Sequence, residues 1–448
     1  MLKKSELSVD ICNFKWYNTY ILKKEGVIMA KFYKRENYLK RLRGFYDDVD
    51  MIKVITGVRR CGKSSLMEMI KDELVEKRIP NGNIIFIHLD KRPYKSIKKA
   101  EELESLIDEK SQGIKGVKYL FIDEIQNVRE FEEVVNAYRE EGEYSIFLTG
   151  SNSYLLSGEL TTKLTGRYIE VEMTTLSFNE YLGIKKFFKK EINNDLEKEF
   201  VNYILEGGFP LAVKYDAKQD KQLYTQSVIT EIIDKDIKKN KRIKKPNLFA
   251  QIQTYVINNF GSTTSVKSIC EYLEKNTKGT VKKETVYNYL SILENAKIIN
   301  KCNRFDMKSK KSLKGDEKYY LSDLSFYFSQ NTDNRINYGP VLENVIYNYA
   351  KNLGYKISVG KIGKLEIDFI LRNYENDYSY VQVARTINND NFDESGKNMT
   401  EEREYKPLEQ IKDGYSKYLL TMDKLLQKRS GVKHLNIIEL IMKEESLV

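Results

Sequence analysis

One short segment constrains this chain more than any other: residues 57–64 read Gly-Val-Arg-Arg-Cys-Gly-Lys-Ser. An apolar run at 52–56 precedes it directly, and an apolar pattern with helical spacing follows it. The spacing G-x-x-x-x-G-K-S between a strand and a helix is that of a loop whose backbone N–H groups cradle phosphates. Glycines allow the tight curl of such a loop. The segment therefore predicts a nucleotide-binding site in an α/β fold with a parallel sheet.

The chemistry of such a loop assigns roles to individual side chains. Lys63 is predicted to contact the β- and γ-phosphates of ATP, and the Ser64 hydroxyl is predicted to bind Mg²⁺. The residues expected to surround the phosphates are Gly57, Val58, Arg59, Arg60, Cys61, Gly62, Lys63, Ser64 and Ser65. Cys61 lies among loop amides and has two interpretations: a small residue that fits the loop, which we favour, or a thiolate that acts as a redox switch.

A second apolar strand, at 119–122, ends in the acidic pair Asp123 and Glu124. Such a strand supplies the other half of a phosphate-loop site. We expect Asp123 to hold Mg²⁺ and Glu124 to orient and polarise the water that attacks the γ-phosphate. Glu124 and Lys63 are therefore predicted to be catalytic.

Two further strand ends carry polar groups. The strand at 146–149 leads into Ser151 and Asn152, and we expect one of them, Asn152 in the first place, to hydrogen-bond the γ-phosphate or the water. Turn chemistry at a strand end is the alternative explanation. His88 follows the apolar run of another strand, and we interpret it as a packing or strand-end residue.

These motifs together resemble those of an AAA+ ATPase. The segments 164–168, 176–181 and Gly207-Gly208-Phe209-Pro210 narrow the resemblance to prokaryotic AAA-domain ATPases that carry a C-terminal domain of unknown function. The resemblance implies ATP and Mg²⁺ as ligands. It also implies an arginine that stabilises the transition-state charge, and Arg167 is the candidate, acting either in its own chain or from a neighbouring subunit of a homo-oligomer. A surface arginine without a catalytic role is the alternative.

Composition excludes several classes of protein. The chain has 448 residues with 75 Lys+Arg and 65 Asp+Glu, and its net charge of +10 permits a polyanionic partner without requiring one. No apolar run approaches the ~18 residues of a membrane span. The 4 cysteines are scattered and only 2 histidines occur, which argues against a disulfide framework or a structural zinc site. We therefore expect a reduced, cytoplasmic protein.

The middle of the chain, at 244–330, has the pattern of a winged helix-turn-helix: three short helices, then strands at 298–305 and 319–322. Basic residues flank it. In the predicted wing these are Arg304, Lys308, Lys310, Lys311, Lys314 and Lys318; before the domain they are Lys235, Lys238, Lys239, Lys241, Arg242, Lys244 and Lys245. The basic flanks favour contact with duplex DNA. A winged helix that binds a protein partner, with solvated lysines, is the alternative that the sequence leaves open.

Residues 338–448 resemble restriction-endonuclease-like nucleases. Glu343 lies on a predicted helix, Asp368 in a hairpin, and the next strand reads Gln382-Val383-Ala384 where an active enzyme has carboxylate-x-lysine. Residues i and i+2 of a strand face the same side, so an amide and a methyl group would replace the catalytic pair. Nuclease chemistry is therefore not expected, unless Lys361 or Lys364 moves into the role of the lysine.

The sequence thus predicts an ATPase with a nucleotide-binding domain at 29–173, a helical lid or connector at 174–243, a winged helix at 244–330 and an inactive nuclease-like domain at 338–448. Residues 1–28 are expected to be a loose tail or an upstream mis-start. ATP hydrolysis is expected to rearrange a C-terminal half that binds DNA or protein. An ATP-gated scaffold that recruits a protein partner is the rival interpretation.

Overall fold

The computed structural model describes residues 32–150, 164, 166–237, 243–276, 280–331, 335–388 and 398–448. The predicted tail at 1–28 lies outside these residues. In the part of the chain that is described, no helix is long and apolar enough to cross a membrane.

The first unit is built around a parallel sheet, as the sequence predicts. Among the described residues, five strands form it in the order β2-β3-β4-β1-β5, and every neighbouring pair is parallel. The strands are β1 (Ile52–Gly57), β2 (Ile84–His88), β3 (Lys118–Asp123), β4 (Tyr144–Thr149) and β5 (Tyr168–Met173). The helices of this unit are α1 (Glu36–Arg43), α2 (Lys63–Glu76), α3 (Ala100–Ser111) and α4 (Phe131–Glu140). The α/β class is confirmed.

Both faces of this sheet are covered, which explains its nearly continuous apolar strands. Side chains alternate between the faces, so Val54 packs in one apolar cluster and Ile55 in the other. Phe86, Phe121 and Phe147 share a row across three strands, and their rings stack with centroids 5.2 and 4.6 Å apart. This aromatic row fixes the spacing of the three strands whose ends approach the phosphate loop.

Helices follow the first sheet. They are α5 (Phe178–Phe187), α6 (Leu196–Glu206) and α7 (Lys218–Glu231), and α7 runs into a π-helical turn at Ile232–Ile237. The start of α5 is fixed by a capping box, because Glu180 N donates to Ser177 Oγ at 3.3 Å and Ser177 N donates to Glu180 Oε2 at 2.9 Å. The described part of the predicted connector is therefore helical.

The C-terminal half begins with three helices and continues in a second sheet. The helices are α8 (Pro246–Asn258), α9 (Val266–Asn276) and α10 (Lys283–Asn295). The strands are β6 (Thr263–Thr264), β7 (Ile299–Asp306), β8 (Lys311–Leu321), β9 (Lys356–Ile362), β10 (Leu365–Arg372), β11 (Tyr378–Val383), β12 (Ser416–Thr421), β13 (Lys428–Arg429) and β14 (Val432–Asn436). The remaining helices are α11 (Ser325–Phe328), α12 (Tyr338–Asn352), α13 (Met399–Glu409) and α14 (Ile437–Met442).

The second sheet crosses the predicted boundary between 330 and 338. Its described strands form one nine-stranded sheet in the order β13-β14-β12-β11-β10-β9-β7-β8-β6. Strand β7 pairs in parallel with β9, so that Phe305 lies opposite Gly360 and Asp306 opposite Lys361. The sequence interpretation separated these parts because a helix intervenes, but backbone hydrogen bonding joins them into one unit.

The Gly207-Gly208 pair holds the two halves of the chain together. Gly208 N donates to the buried carboxylate of Asp323 at 2.8 Å, and the Gly208 carbonyl accepts from Leu176 N at 2.8 Å. A Cβ atom on Gly208 would lie 2.5 Å from the Leu176 carbonyl oxygen, and one on Gly207 would lie 2.1 Å from Asp323 Oδ1. A side chain therefore does not fit at this junction between the connector and the segment that follows β8.

We expect Gly208→Ala to lower the free energy of unfolding by about 3 kcal/mol, because the backbone of Leu176 has to move away from the new methyl group. Urea denaturation followed by circular dichroism measures the change. Gly44→Ala is the control: Gly44 has φ −65° and no atom within 4 Å of the added Cβ, and we expect a change below about 0.5 kcal/mol. Equal effects of the two substitutions would contradict the role of the junction.

Candidate nucleotide-binding site

The predicted phosphate loop lies between β1 and α2, with glycines where the backbone needs them. Gly57 has φ +136° and Gly62, the N-cap of α2, has φ +110°, a region that residues with a side chain rarely adopt. A Cβ atom on Gly57 would lie 2.2 Å from the carbonyl oxygen of Met173 on β5. The loop can therefore curl against β5 only because no side chain is present at Gly57.

Lys63 and the helix N-terminus supply the positive side of the site. Lys63 is buried, and its Nζ donates to the carbonyl oxygens of Gly57 at 3.0 Å and Val58 at 3.3 Å. An ammonium group has three N–H donors, and these carbonyls account for two of them. Helix α2 begins at Lys63, so its first N–H groups and its dipole also favour an anion at this point.

Ser64 and Asp123 meet at the edge of the loop. Ser64 Oγ donates to Asp123 Oδ1 at 2.9 Å, and Thr149 Oγ1 donates to the same oxygen. Both Ser64 and Asp123 offer oxygen, the donor that Mg²⁺ prefers, so the pair fits the predicted metal. Burial raises the pKa of Asp123, but hydrogen bonds from His88, Thr149 and Ser64 outweigh burial and hold the pKa below its usual value. The carboxylate therefore stays charged.

Glu124 follows Asp123 in an unusual backbone conformation. Its φ of 61° is in the left-handed region, which costs a residue with a side chain about 1–2 kcal/mol. Glu124 N donates to Thr149 Oγ1 at 3.1 Å, and Gln126 Nε2 donates to the Glu124 carboxylate. Burial, followed by the charge of Asp123, raises the pKa of Glu124 above its usual value. A buried carboxylate with a raised pKa is a good acceptor for a proton from water.

The other loop residues have structural contacts. Arg60 donates from Nε and Nη2 to Glu231 Oε2, at 2.9 and 2.6 Å, and Arg59 Nη1 lies 3.7 Å from Glu231 Oε1. The loop thereby contacts the last residue of α7. Cys61 is fully buried, and burial raises its thiol pKa, which argues against the redox switch and for a small residue that fits. Ser65 is buried in the first turn of α2.

His88 corrects the sequence interpretation. It is not a simple packing residue, because its Nδ1 lies 3.2 Å from Asp123 Oδ2 and its Nε2 lies 3.4 Å from Glu68 Oε1. Burial lowers the pKa of His88, but the contacts with Asp123 and Glu68 outweigh burial and raise the pKa above its usual value. The other predicted polar residues, Ser151 and Asn152, lie outside the described residues.

Comparisons with known proteins agree with this geometry. Residues 49–182 match the AAA domain family, and residues 197–334 match a domain of unknown function (DUF8612). An uncharacterized protein of Haemophilus influenzae is 34% identical over 387 residues, which span 86% of this chain and 92% of that protein. An uncharacterized protein of Methanocaldococcus jannaschii is 31% identical over 378 residues, which span 81% of this chain and 79% of that protein. The chain belongs to the same family as these two proteins.

Solved structures show weaker similarity. A Walker-type ATPase of Pyrococcus abyssi is 16% identical with a TM-score of 0.46, over 67% of this chain and 96% of that chain. AMPPCP-bound DnaA of Aquifex aeolicus is 14% identical with a TM-score of 0.30, over 57% of this chain and 85% of that chain. The match to the AAA domain indicates an ATP-binding P-loop protein.

Arg167 does not reach the phosphate loop of its own AAA domain. It precedes β5, and its carbonyl oxygen accepts from Ile52 N at 2.9 Å, so it lies where β1 begins whereas Gly57 is where β1 ends. Five residues of strand separate the two ends by about 17 Å. The Arg167 guanidinium donates to Asn136 Oδ1 at 2.9 Å. A catalytic role within its own chain is therefore wrong, and a role in a neighbouring subunit stays a prediction.

Arg35 is a buried residue that links three parts of the AAA domain. It was not predicted from the sequence. Its guanidinium is buried and donates to both carboxylate oxygens of Glu180, at 2.9 and 2.7 Å. It also donates to the carbonyl oxygens of Cys61 at 3.2 Å and Thr174 at 2.8 Å. Arg35 thereby ties the phosphate loop to the end of β5 and the start of α5. Its partners lie 26 to 145 residues away, so no local pattern identifies it.

The C-terminal half contains a second cluster of charges, around Glu343 and Asp368. Glu343 on α12 and Asp368 on β10 approach the same ammonium group, and among the described residues neither Lys361 nor Lys364 pairs with them. Lys318 on β8 does: its Nζ lies 2.9 Å from Glu343 and 3.9 Å from Asp368. It also lies 2.9 Å from Glu366. The positive charge at this cluster therefore comes from the preceding hairpin.

Gln382 lies next to this cluster but bonds elsewhere. Its Nε2 donates to Glu404 at 2.9 Å, and its buried Oε1 has no hydrogen-bond partner among the described residues. The amide of Val383 donates to Asp368 Oδ2 at 2.8 Å. Burial raises the pKa values of Glu343 and Asp368, and the charge of Lys318 offsets only part of this effect. Both pKa values therefore lie above their usual values.

We expect Lys318→Met to destabilise the fold by about 3–5 kcal/mol near pH 8, because it leaves buried carboxylates without a counter-charge. Carboxyls with raised pKa values in the folded state stabilise it when protonated and lose that contribution as pH rises. The deficit should therefore shrink towards about pH 5. Denaturation at several pH values measures it, with exposed Lys364→Met as the control. A deficit independent of pH would contradict the assigned carboxylates.

Proposed function

We propose that this protein is an ATPase that hydrolyses ATP with Mg²⁺ and uses the reaction to rearrange its C-terminal half. The observation that carries the proposal is the contact of 2.9 Å between Ser64 Oγ and Asp123 Oδ1, beside Lys63 and next to Glu124. These groups come from the end of β3 and the start of α2, and they supply phosphate binding, metal binding and water activation for phosphoryl transfer.

Each residue has a defined task in this proposal. The loop amides and the Lys63 ammonium bind the β- and γ-phosphates, and Ser64 and Asp123 hold the metal. Mg²⁺ neutralises charge on the phosphate oxygens when it is bound. Glu124 accepts a hydrogen bond from the attacking water and takes up its proton, a task that its raised pKa favours.

Two contacts support transmission to the C-terminal half. Arg59 and Arg60 of the loop pair with Glu231 at the end of α7, so phosphates that attract Arg59 would compete with this carboxylate. On β5, the Glu172 carboxylate accepts from Lys351 on α12 at 2.8 Å and pairs with Lys297 at 3.0 Å. Burial alone would raise the pKa of Glu172, but the two ammonium groups outweigh it and lower the pKa to about 2.

We expect Glu124→Gln to slow ATP hydrolysis about 10²–10⁴-fold with ATP affinity retained, because only proton uptake is lost. Lys63→Ala should weaken ATP binding about 10–100-fold, because a charge on the phosphates is lost. Phosphate release and calorimetric binding measure the two effects. Glu130→Gln is a matched control, since Glu130 is exposed and has a similar φ of 58°. Parental hydrolysis by Glu124→Gln would refute the assignment.

For the C-terminal half we propose duplex DNA as the partner. The helices α8, α9 and α10 followed by the β7–β8 hairpin support a winged-helix interpretation. The solvent side of α10 presents Lys283, Tyr287 and Asn288, all exposed, and the turn after β7 presents Lys308 and Lys310. This combination of hydrogen-bonding groups on a helix and cations on a hairpin suits groove and phosphate contacts.

Two of the basic residues predicted for the wing are engaged otherwise. Lys318 is buried in the carboxylate cluster, and Arg304 Nη2 donates to Glu366 at 3.2 Å. The residues 238–242 that were expected to extend the basic surface lie outside the described residues. The cations that remain for phosphate contact in the hairpin include Lys308, Lys310 and Lys311, which are all exposed.

We expect replacement of Lys308, Lys310 and Lys311 by Ala to weaken duplex binding irrespective of sequence, and to reduce its salt dependence by about one unit of slope per lost phosphate contact. Fluorescence anisotropy over a series of salt concentrations measures both effects.

The charge-matched control replaces three exposed lysines of the AAA domain, which are Lys95, Lys98 and Lys115. An equal loss in the control would mean that net charge alone attracts DNA. No duplex binding by the parental protein at low salt would remove DNA from the proposal and favour a protein partner captured in an ATP-dependent manner.

A further inference from the structure

His88 ends β2, and the parallel register of the sheet places it directly beside Asp123 at the end of β3. Its two ring nitrogens meet two carboxylates. Nδ1 lies 3.2 Å from Asp123 Oδ2, and Nε2 lies 3.4 Å from Glu68 Oε1 on α2. The ring therefore joins the strand that carries Asp123 to the helix that begins with Lys63.

The ring plane of His88 is fixed by packing. His88 and Phe86 are two residues apart on β2 and face the same side of the sheet. Their rings stack with centroids 4.2 Å apart and planes inclined by 23°. Phe86 is itself held by Phe121 at 5.2 Å, within the aromatic row of the sheet. With the ring held in this way, the two nitrogens remain directed at Asp123 and Glu68.

The contacts of Asp123 divide between its two oxygens. Oδ1 accepts from Ser64 and from Thr149, and Oδ2 faces His88. Ser64 is itself expected to turn towards the metal, which removes one of these contacts. Thr149 and His88 would then determine the orientation of the carboxylate. Groups that hydrogen-bond a metal-binding carboxylate typically contribute about 10–100-fold to metal affinity.

We propose that His88 is a positioning residue, which holds the Asp123 carboxylate in the orientation that binds Mg²⁺ with ATP. The proposal rests on the function proposed above, since it assigns a role towards the metal of that site. Nδ1 carries this role, whereas Nε2 links the ring to α2. Neither the family match nor the sequence motifs point to His88.

The two nitrogens can be tested separately by substitution. The side-chain amide nitrogen of Asn falls where Nδ1 of histidine lies, and that of Gln falls where Nε2 lies. His88→Asn keeps a donor for Asp123 and loses the contact with Glu68. His88→Gln keeps the contact with Glu68 and loses the donor for Asp123. Glu68→Gln is the control that changes the other partner of the ring.

The measurement is calorimetric binding of a non-hydrolysable ATP analogue, first in EDTA and then over a range of Mg²⁺ concentrations. We expect His88→Gln to raise the Mg²⁺ concentration needed for half-maximal enhancement of binding about tenfold. His88→Asn and Glu68→Gln should stay within about threefold of the parental protein. Binding in EDTA and the melting temperature should be the same in all four proteins.

Two results would overturn the role of His88. One is a His88→Gln protein with parental Mg²⁺ dependence. The other is a loss that is not specific to Mg²⁺ or to Nδ1. It would be seen as equally weakened Mg²⁺ dependence in His88→Asn and His88→Gln, as weaker binding in EDTA, or as a lower melting temperature, and each of these indicates general support of the fold. Failure of the proposed function is distinguishable, because the parental protein itself would then bind the analogue no better with Mg²⁺ than in EDTA.

Discussion

The parallel register of the first sheet is the constraint on which the site depends. It brings the carboxyl ends of β1, β2, β3 and β4 to one edge, so that Gly57, His88, Asp123 and Thr149 lie together although they are far apart in sequence. Ligands bind at this edge of open α/β sheets because the strand ends leave a crevice there. The aromatic row formed by the three stacked phenylalanines holds the same strands at a fixed spacing, and a shift of one strand would separate the Mg²⁺ side from the phosphate side.

Ion pairs support the phosphate loop on three sides, and one of them is buried whereas two are half-buried. Arg35 and Glu180 form one pair, and Glu231 contacts the arginines of the loop. Glu172 lies on β5 opposite Thr56 and is held by lysines of the C-terminal half. Buried ion pairs add little net stability, but removal of one partner is costly. They therefore restrict the arrangement of the loop and of the helices around it more than they stabilise the fold, and they give the C-terminal half a direct contact with the nucleotide site.

The charge cluster around Lys318 joins the C-terminal elements in the same manner. One ammonium lies among carboxylates from α12 and β10, and the hairpin that carries it belongs to the same continuous sheet as β9, β10 and β11. The junction of Gly208 with Asp323 connects this half to the helical connector. The strands of the C-terminal half are therefore joined in one sheet. The movement proposed above would act on this sheet as a whole, whichever partner the C-terminal half binds.

Sequence alone determined the parts that are contiguous in the chain: the loop at 57–64, the pair Asp123–Glu124, and the α/β class, because glycine spacing and apolar strands are local signals. Sequence alone did not identify Arg35 or Glu231, and it assigned other roles to His88 and Lys318. The partners of these residues lie 20 to 171 residues away. Sequence alone could not decide whether Arg167 acts in its own chain, whereas the structure places Arg167 at the start of β1, away from its own phosphate loop. The sequence interpretation also divided a sheet that is continuous. Strand order, register and the packing of helices on the sheet decide these contacts. A local sequence pattern contains the type and spacing of residues, but it does not show which distant residues they contact.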